Sequence, residues 1–321
     1  MLQYLIILLD DASTSFCHYQ QSSNERKLIP IETLRKGIRF GMMENLTIQY
    51  VYPDSELPTE YRDVIESIDH STIKPFPTNT LSTRNFSTDV LVLNGFRDID
   101  TIEASVVLKV NKQELFNNKD NVVELLAKTP RLNIVVIDVE TFKEEDYNKY
   151  KDFLQGVSGT IEKMYVNGKS PQLNLLTDRM MLKEMNNCGA GDTNITLAPN
   201  GKFYICPAFY YENEEDFVGD LKNGLNIKNK QLYMLKYAPV CRHCDAYQCK
   251  RCVWLNRKTT LEVNTPSHEQ CMVAHLERNA SRELMNSLCK HGNFPLLQEE
   301  IKKIDYLDPF DNREKWQQEN L

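Results

Sequence analysis

Seven of the nine cysteines fall between residues 188 and 271: Cys188, Cys206, Cys241, Cys244, Cys249, Cys252 and Cys271. Four of them form two pairs with two-residue spacers, Cys241-Arg242-His243-Cys244 and Cys249-Lys250-Arg251-Cys252. A two-residue spacer lets two thiolates leave one tight turn toward the same metal. Two such pairs within twelve residues constrain this segment more than any apolar pattern does. A loop of this kind folds around a metal group or forms disulfides, and disulfides belong to oxidising compartments. The apolar start, residues 4–9, runs at once into Asp10 and Asp11 and lacks both the basic start and the cleavage site of a signal peptide. The expectation is therefore a cytoplasmic chain with no membrane segment and metal-bound thiolates. Four thiolates satisfy one zinc, whereas seven exceed one zinc and divide badly between two. Two iron–sulfur clusters, each taking up to four ligands, use seven better, and zinc stays open as the alternative.

The first half of the chain alternates strand-like and helix-like stretches. Continuous apolar or β-rich runs cover 2–9, 46–51, 89–93, 105–110 and 132–139, and a shorter one covers 161–166. Helical spacing covers 31–43 behind Pro30, 59–68 behind Pro58, 121–128 and 143–154. This βαβα rhythm predicts a parallel sheet with helices packed outside it, as a partial barrel or an open sheet. The character changes near residue 182, where cysteines and turn dipeptides such as Asn200-Gly201 and Asn223-Gly224 become frequent. Residues 272–288 read as a helix, Cys289 as a core residue of the last helices, and 308–321 as a polar tail. A net charge of −7 carries no basic excess of the sort a nucleic-acid binder shows.

Asn187-Cys188-Gly189-Ala190-Gly191, then Asn200-Gly201-Lys202-Phe203-Tyr204-Ile205-Cys206-Pro207, the two pairs and the final Cys271 together resemble a SPASM domain. That module carries the auxiliary clusters of radical-SAM peptide maturases. The resemblance spans 182–275. It departs from the usual pattern in the four-cysteine block, whose last two gaps hold four and two residues where the family more often has five and three. The resemblance implies two [4Fe–4S] clusters, one held by Cys188, Cys206 and Cys252 and one by Cys241, Cys244, Cys249 and Cys271. It also implies a fold class: an α/β partial barrel of radical-SAM type over 1–175, the SPASM-like domain over 182–275, and a C-terminal helix and tail over 276–321. Phe203, Tyr204, Phe209, Tyr210 and Trp254 are the core of the small domain or an apolar surround for the clusters. His243 is a further ligand or a solvent-facing loop residue. Arg242, Lys250, Arg251, Arg257 and Lys258 balance cluster charge, meet an acidic peptide, or form a solvated face.

A radical-SAM enzyme carries three cysteines, spaced by three and then two residues, after its first strand. Here the register gives Asp10, Thr14 and Cys17, with the aromatic Phe16 before the third position. Oxygen ligands are poor substitutes for thiolates in an iron–sulfur cluster. The Gly-Gly-Glu-Pro-like turn expected after the second strand is reduced to Glu56, with both glycines absent. The resemblance thus implies a decayed S-adenosylmethionine site built on Asp10, Thr14, Cys17 and Glu56, and no cleavage of S-adenosylmethionine. LLDDASTSFCHY and NNCGAGDTNITLAPNGKFYICPAFYY resemble, more narrowly, the CXXX repeat peptide maturase family. The implied function is maturation of a ribosomally made, cysteine-repeat precursor peptide, with a true radical-SAM enzyme as a further partner. Electron transfer through the two clusters and a zinc-bound scaffold are the other readings. No catalytic set is identifiable; Asp10, Cys17 and His18, at the end of a strand where α/β folds place ligands, are the candidates.

Overall fold

The computed structural model describes residues 1–20, 26–77, 88–292 and 301. In chain order the elements are β1 (Tyr4–Leu8), α1 (Ile31–Met43), β2 (Thr47–Val51), α2 (Thr59–Ile65), β3 (Ser71–Pro75), β4 (Val90–Asn94), β5 (Ser105–Val110), α3 (Lys112–Asn117), α4 (Lys119–Lys128), β6 (Leu132–Val136), α5 (Glu144–Val166), α6 (Thr177–Met181), β7 (Asn194–Leu197), β8 (Phe203–Tyr204), α7 (Pro207–Glu212), β9 (Gly219–Asp220), β10 (Gly224–Leu225), α8 (Val253–Thr260) and α9 (His268–Lys290). They form two compact units, Met1–Lys109 with Gly189–Tyr237, and Val110–Cys188 with Ala238–Leu321.

The first unit holds a sheet ordered β5-β4-β3-β2-β1-β7-β8 that does not close into a ring. Its pairings are parallel except for the antiparallel β7–β8 hairpin. β1 lies between β2 and β7, with Ile6 opposite Gln49 on one side and Thr196 on the other. Buried on both faces from Leu5 to Leu8, with Tyr4 exposed at its start, it reads as a continuous apolar run. The core beside it comprises Leu5, Ile7, Leu34, Ile38, Ile48 and Leu197. α1 approaches the strands closely through Gly41, where a Cβ would stand 2.9 Å from Ile48 Cδ1. Asn200-Gly201 closes the β7–β8 hairpin, with Gly201 at φ +78°.

The second unit is mainly helical. α5 buries Tyr147, Tyr150, Phe153, Leu154, Val157 and Ile161 at helical spacing. This face corrects the strand expected over 161–166: it reaches Ile161, and the helix that carries it continues through Val166. The expected strand over 132–139 ends at Val136, and Val139–Thr141 turns as a 3₁₀ segment. α9 begins four residues earlier than expected, capped by Ser267, whose side chain accepts from the Gln270 N–H. Cys289 is exposed near the end of α9, not in the core. The tail expected over 308–321 lies outside the described residues. Among the described residues no helix is long and apolar enough to cross a membrane.

Leu5 is fully buried beside both neighbouring strands. Leu5→Ala should cost about 2–5 kcal/mol through lost burial and the cavity it leaves, read as a lower denaturant midpoint with unchanged far-ultraviolet dichroism.

Candidate metal centre

Between Cys241 and Cys252 the backbone has little regular structure, so local hydrogen bonds shape it. Cys241–His243 forms a 3₁₀ turn closed by the Cys244 N–H to the Cys241 carbonyl at 3.1 Å. The Ala246 N–H donates to Cys244 Sγ at 3.4 Å, and the Leu255 N–H to Cys252 Sγ at 3.5 Å, where Cys252 caps α8. Arg251 adopts a left-handed backbone, φ +45°, that turns the second pair. Side chains then pin the loop onto α9. Gln248 Nε2 donates to the Ala274 carbonyl at 2.7 Å, and Arg278 Nη1 donates to Asp245 Oδ1 at 2.6 Å with both side chains buried. The Arg179 guanidinium donates to the Asp245 carbonyl and lies over the Tyr247 ring.

The result is one cavity lined by the thiols of Cys241, Cys244, Cys249 and Cys271, the four cysteines that the resemblance assigns to a single cluster. Met185, Val240, Ala246 and Ala274 supply apolar wall, and Arg251, Gln270 and His275 supply nitrogen donors. The donor set fits an iron–sulfur cluster: four soft thiols, a buried cation, and dry apolar walls. The open space is about 20 Å³, so a cluster would have to press these thiols apart. Among the described residues no three His, Cys, Asp or Glu side chains converge on a point, as the ligands of one metal ion must. Burial pushes the Cys249 thiol well above its ordinary range, and the neighbouring Cys241 adds to this. Deprotonation of that thiol is therefore coupled to metal binding. Close by, burial raises Glu277 to about 7 although it accepts from Tyr150 and Gln248.

The other three cysteines stand elsewhere. Cys188 is exposed in the second unit, its N–H donating to the Lys250 carbonyl at 2.9 Å. Cys252 is in the same unit but outside the four-thiol cavity. Cys206 belongs to the first unit, as the cap of α7 with Pro207 at the first helical position. His243, Arg242, Lys250 and Lys258 face solvent, while Arg251 is buried. Phe203, Tyr204, Phe209 and Tyr210 are core residues of the first unit, and Trp254 is buried in the second.

The strand-end loop of the first unit is built from oxygen. Asp10 is fully buried; Oδ1 accepts from the Ala12 N–H at 2.7 Å and Oδ2 from Arg26 at 3.2 Å. Ser13 Oγ accepts from the Asp10 N–H and donates to the Val51 carbonyl. Buried Thr14 donates its N–H to the Tyr52 carbonyl at 2.9 Å. Lys109, at the end of β5, reaches into the loop and donates to Ser15 Oγ and to the Tyr19 carbonyl. Tyr210 donates to Asp11, whose carboxyl burial pushes upward, and Tyr211 stacks on Tyr19 at 5.4 Å. Cys17 is partly exposed and His18 partly buried at the far end of this loop. A cavity of about 450 Å³ opens at the same strand ends, lined by Thr14, Arg26, Ser55, Phe76, Asn94 and Arg97 among others; Cys17 and the exposed Glu56 are not in its wall. Lys109, Arg26, His275 and Gln270 escaped the sequence reading. His275 carried a usable signal, being one helical turn from Cys271, and so did a lysine inside the apolar run of β5.

No family model matches this chain, and no curated protein matches it at a significant level. Solved structures do. anSMEcpe, a radical-SAM/SPASM sulfatase maturase, with bound AdoMet and Cp18Cys peptide gives a TM-score of 0.63 at 12% identity, covering 90% of this chain and 100% of that one. anSMEcpe with bound AdoMet gives 0.62 at 14%, covering 89% and 99%. SuiB of Streptococcus suis bound to its precursor peptide SuiA gives 0.47 at 11%, covering 83% and 74%. The chain shares the α/β fold of the anSMEcpe structures.

Burial lowers Lys109 to about 8, below the roughly 10.4 of an unfolded lysine. Between these values the unfolded chain binds more protons than the folded one, so stability rises with pH across that window. Lys109→Met should abolish the rise in urea midpoint between about pH 8 and 10. Arg278→Met leaves Asp245 as a buried unpaired charge and should cost about 3–5 kcal/mol, measured by denaturation under anaerobic conditions.

Proposed function

We propose that this chain is an iron–sulfur protein of peptide maturation: it binds a ribosomally made, cysteine-repeat precursor in the cytoplasm and does not itself generate a radical from S-adenosylmethionine. The observation that carries the reading is the single cavity walled by Cys241, Cys244, Cys249 and Cys271. Four soft thiols around one cavity suit an iron–sulfur cluster, which takes one thiolate at each of separate irons. A tetrahedral zinc instead needs all four sulfurs about 2.3 Å from one centre. The SPASM resemblance assigns Cys188, Cys206 and Cys252 to a second [4Fe–4S] cluster. When bound, such clusters supply electron transfer or a substrate-binding iron.

Absence of radical chemistry is supported by the strand-end loop. Asp10 and Thr14 stand at two of the three cluster positions, buried, and Asp10 is committed to a turn and to Arg26. With one thiol left, the loop lacks the soft donors a cluster needs. The radical is then supplied by a partner enzyme, and this chain presents the peptide. The anSMEcpe fold neighbour with its bound peptide supports a peptide as the substrate class.

Anaerobically purified protein should be brown and hold about eight irons with matching sulfide. Cys244→Ala and Cys249→Ala should each lose about half of that iron and destabilise the cysteine loop, because cluster binding is coupled to folding. Cys17→Ala should keep all of it, and no S-adenosylmethionine should be cleaved under dithionite. Zinc without sulfide, or iron loss in Cys17→Ala, overturns the reading.

A further inference from the structure

We propose that His275 and Gln270 are positioning residues of the four-thiol cavity, donating hydrogen bonds to the sulfurs held there and setting the reduction potential of the cluster. The proposal rests on the cluster reading above and deepens it.

His275 is buried on α9, four residues beyond Cys271, and the two therefore share one helical face. Its Nε2 lies 3.5 Å from Cys244 Sγ. A cluster-bound thiolate carries no proton, so Nε2 must carry it and donate. Gln270 arrives at the same cavity independently. Its backbone N–H is fixed by the Ser267 cap at 3.4 Å, and its side chain lines the wall. Its Nε2 is buried with no acceptor among the described residues. A buried amide N–H without an acceptor is costly, and apart from Gln270 no side chain of the wall offers an acceptor oxygen. Sulfur is the acceptor chemistry this cavity offers.

N–H groups that donate to cluster sulfur act through charge. The reduced cluster carries one more electron, spread largely over iron and sulfur, and a donor stabilises that form more than the oxidised one. In a dry, low-dielectric wall the preference is stronger than in water. Each donor thus moves the potential upward. The Ala246 N–H does the same from the main chain, where substitution cannot remove it.

The test is an anaerobic potentiometric titration with dithionite as reductant, followed by EPR, with iron and sulfide measured on the same samples. His275→Phe and Gln270→Leu remove the donors at similar volume; His275→Gln keeps an amide N–H. The expected result is wild-type iron in all three, a shift of one of the two cluster signals to more negative potential in His275→Phe and Gln270→Leu, and a potential near wild type in His275→Gln. Iron-loaded His275→Phe and Gln270→Leu titrating at the wild-type potential overturn the proposal. So does iron loss in both His275 variants, which makes His275 a ligand. If His275→Phe does not load, Gln270→Leu decides by the same reading. Wild-type protein without sulfide is a different failure, that of the cluster reading itself.

Discussion

The buried pair of Asp245 and Arg278 is the interaction on which the cysteine loop depends. A loop that must present four thiols to a dry cavity cannot spend its backbone on a sheet or a long helix. Its shape has to come from a few side chains tied to something rigid, and that rigid object is α9. Arg278 holds the Asp245 carboxylate, Gln248 holds the Ala274 carbonyl, and Cys271 and His275 on the same helix complete the cavity. A buried ion pair contributes little net stability against an apolar isostere, but its geometry is exacting. Here that geometry fixes how far Cys244 and Cys249 stand from the helix. The same helix buries Glu277 against Tyr150 of α5, so the cavity is braced by the core of its own unit.

The strand-end loop solves a similar problem with different atoms. Loops after parallel strands leave N–H and C=O groups that need partners. A cluster-binding loop can lend its shape to the metal. This one is closed instead by the Asp10 turn, the Ser13 bridge to Val51, and the Lys109 ammonium against Ser15 and the Tyr19 carbonyl. A buried ammonium is expensive unless carbonyl and hydroxyl oxygens surround it, and they do. The loop is thus held by hydrogen bonds among its own residues and to the neighbouring strands.

Much of this was legible in the residues, for physical reasons that differ by element. β1, α1 and β5 were readable because a strand buried on both faces is uniformly apolar and an amphipathic helix behind a proline has a clear start. Strand Ser71–Pro75 was not, since Lys74 and Pro75 contradict a buried strand and its partners lie far along the chain. Residues 161–166 misled because a β-branched, aromatic run looks the same in a strand and on a long helix; the continuous face of α5 decided it. The cysteine pairs pointed to a metal site, but not to the cavity wall: the burial of Arg251 depends on a left-handed turn that spacing cannot show.

The two ends of the chain's chemistry can therefore be separated by ligand softness. In the second unit, thiol, imidazole and amide N–H face one another across a small apolar space, a combination that favours iron and sulfide and excludes water. In the first unit, the cavity at the strand ends carries guanidinium, hydroxyl and amide groups with no thiol in its wall, a combination suited to hard, hydrated partners. In the strand-end loop Asp10 has an acceptor role for each of its oxygens, and Ser13 serves two partners at once. These partners fix the oxygen-built loop in place, whereas the soft donors of Cys241, Cys244, Cys249 and Cys271 line the cavity of the second unit.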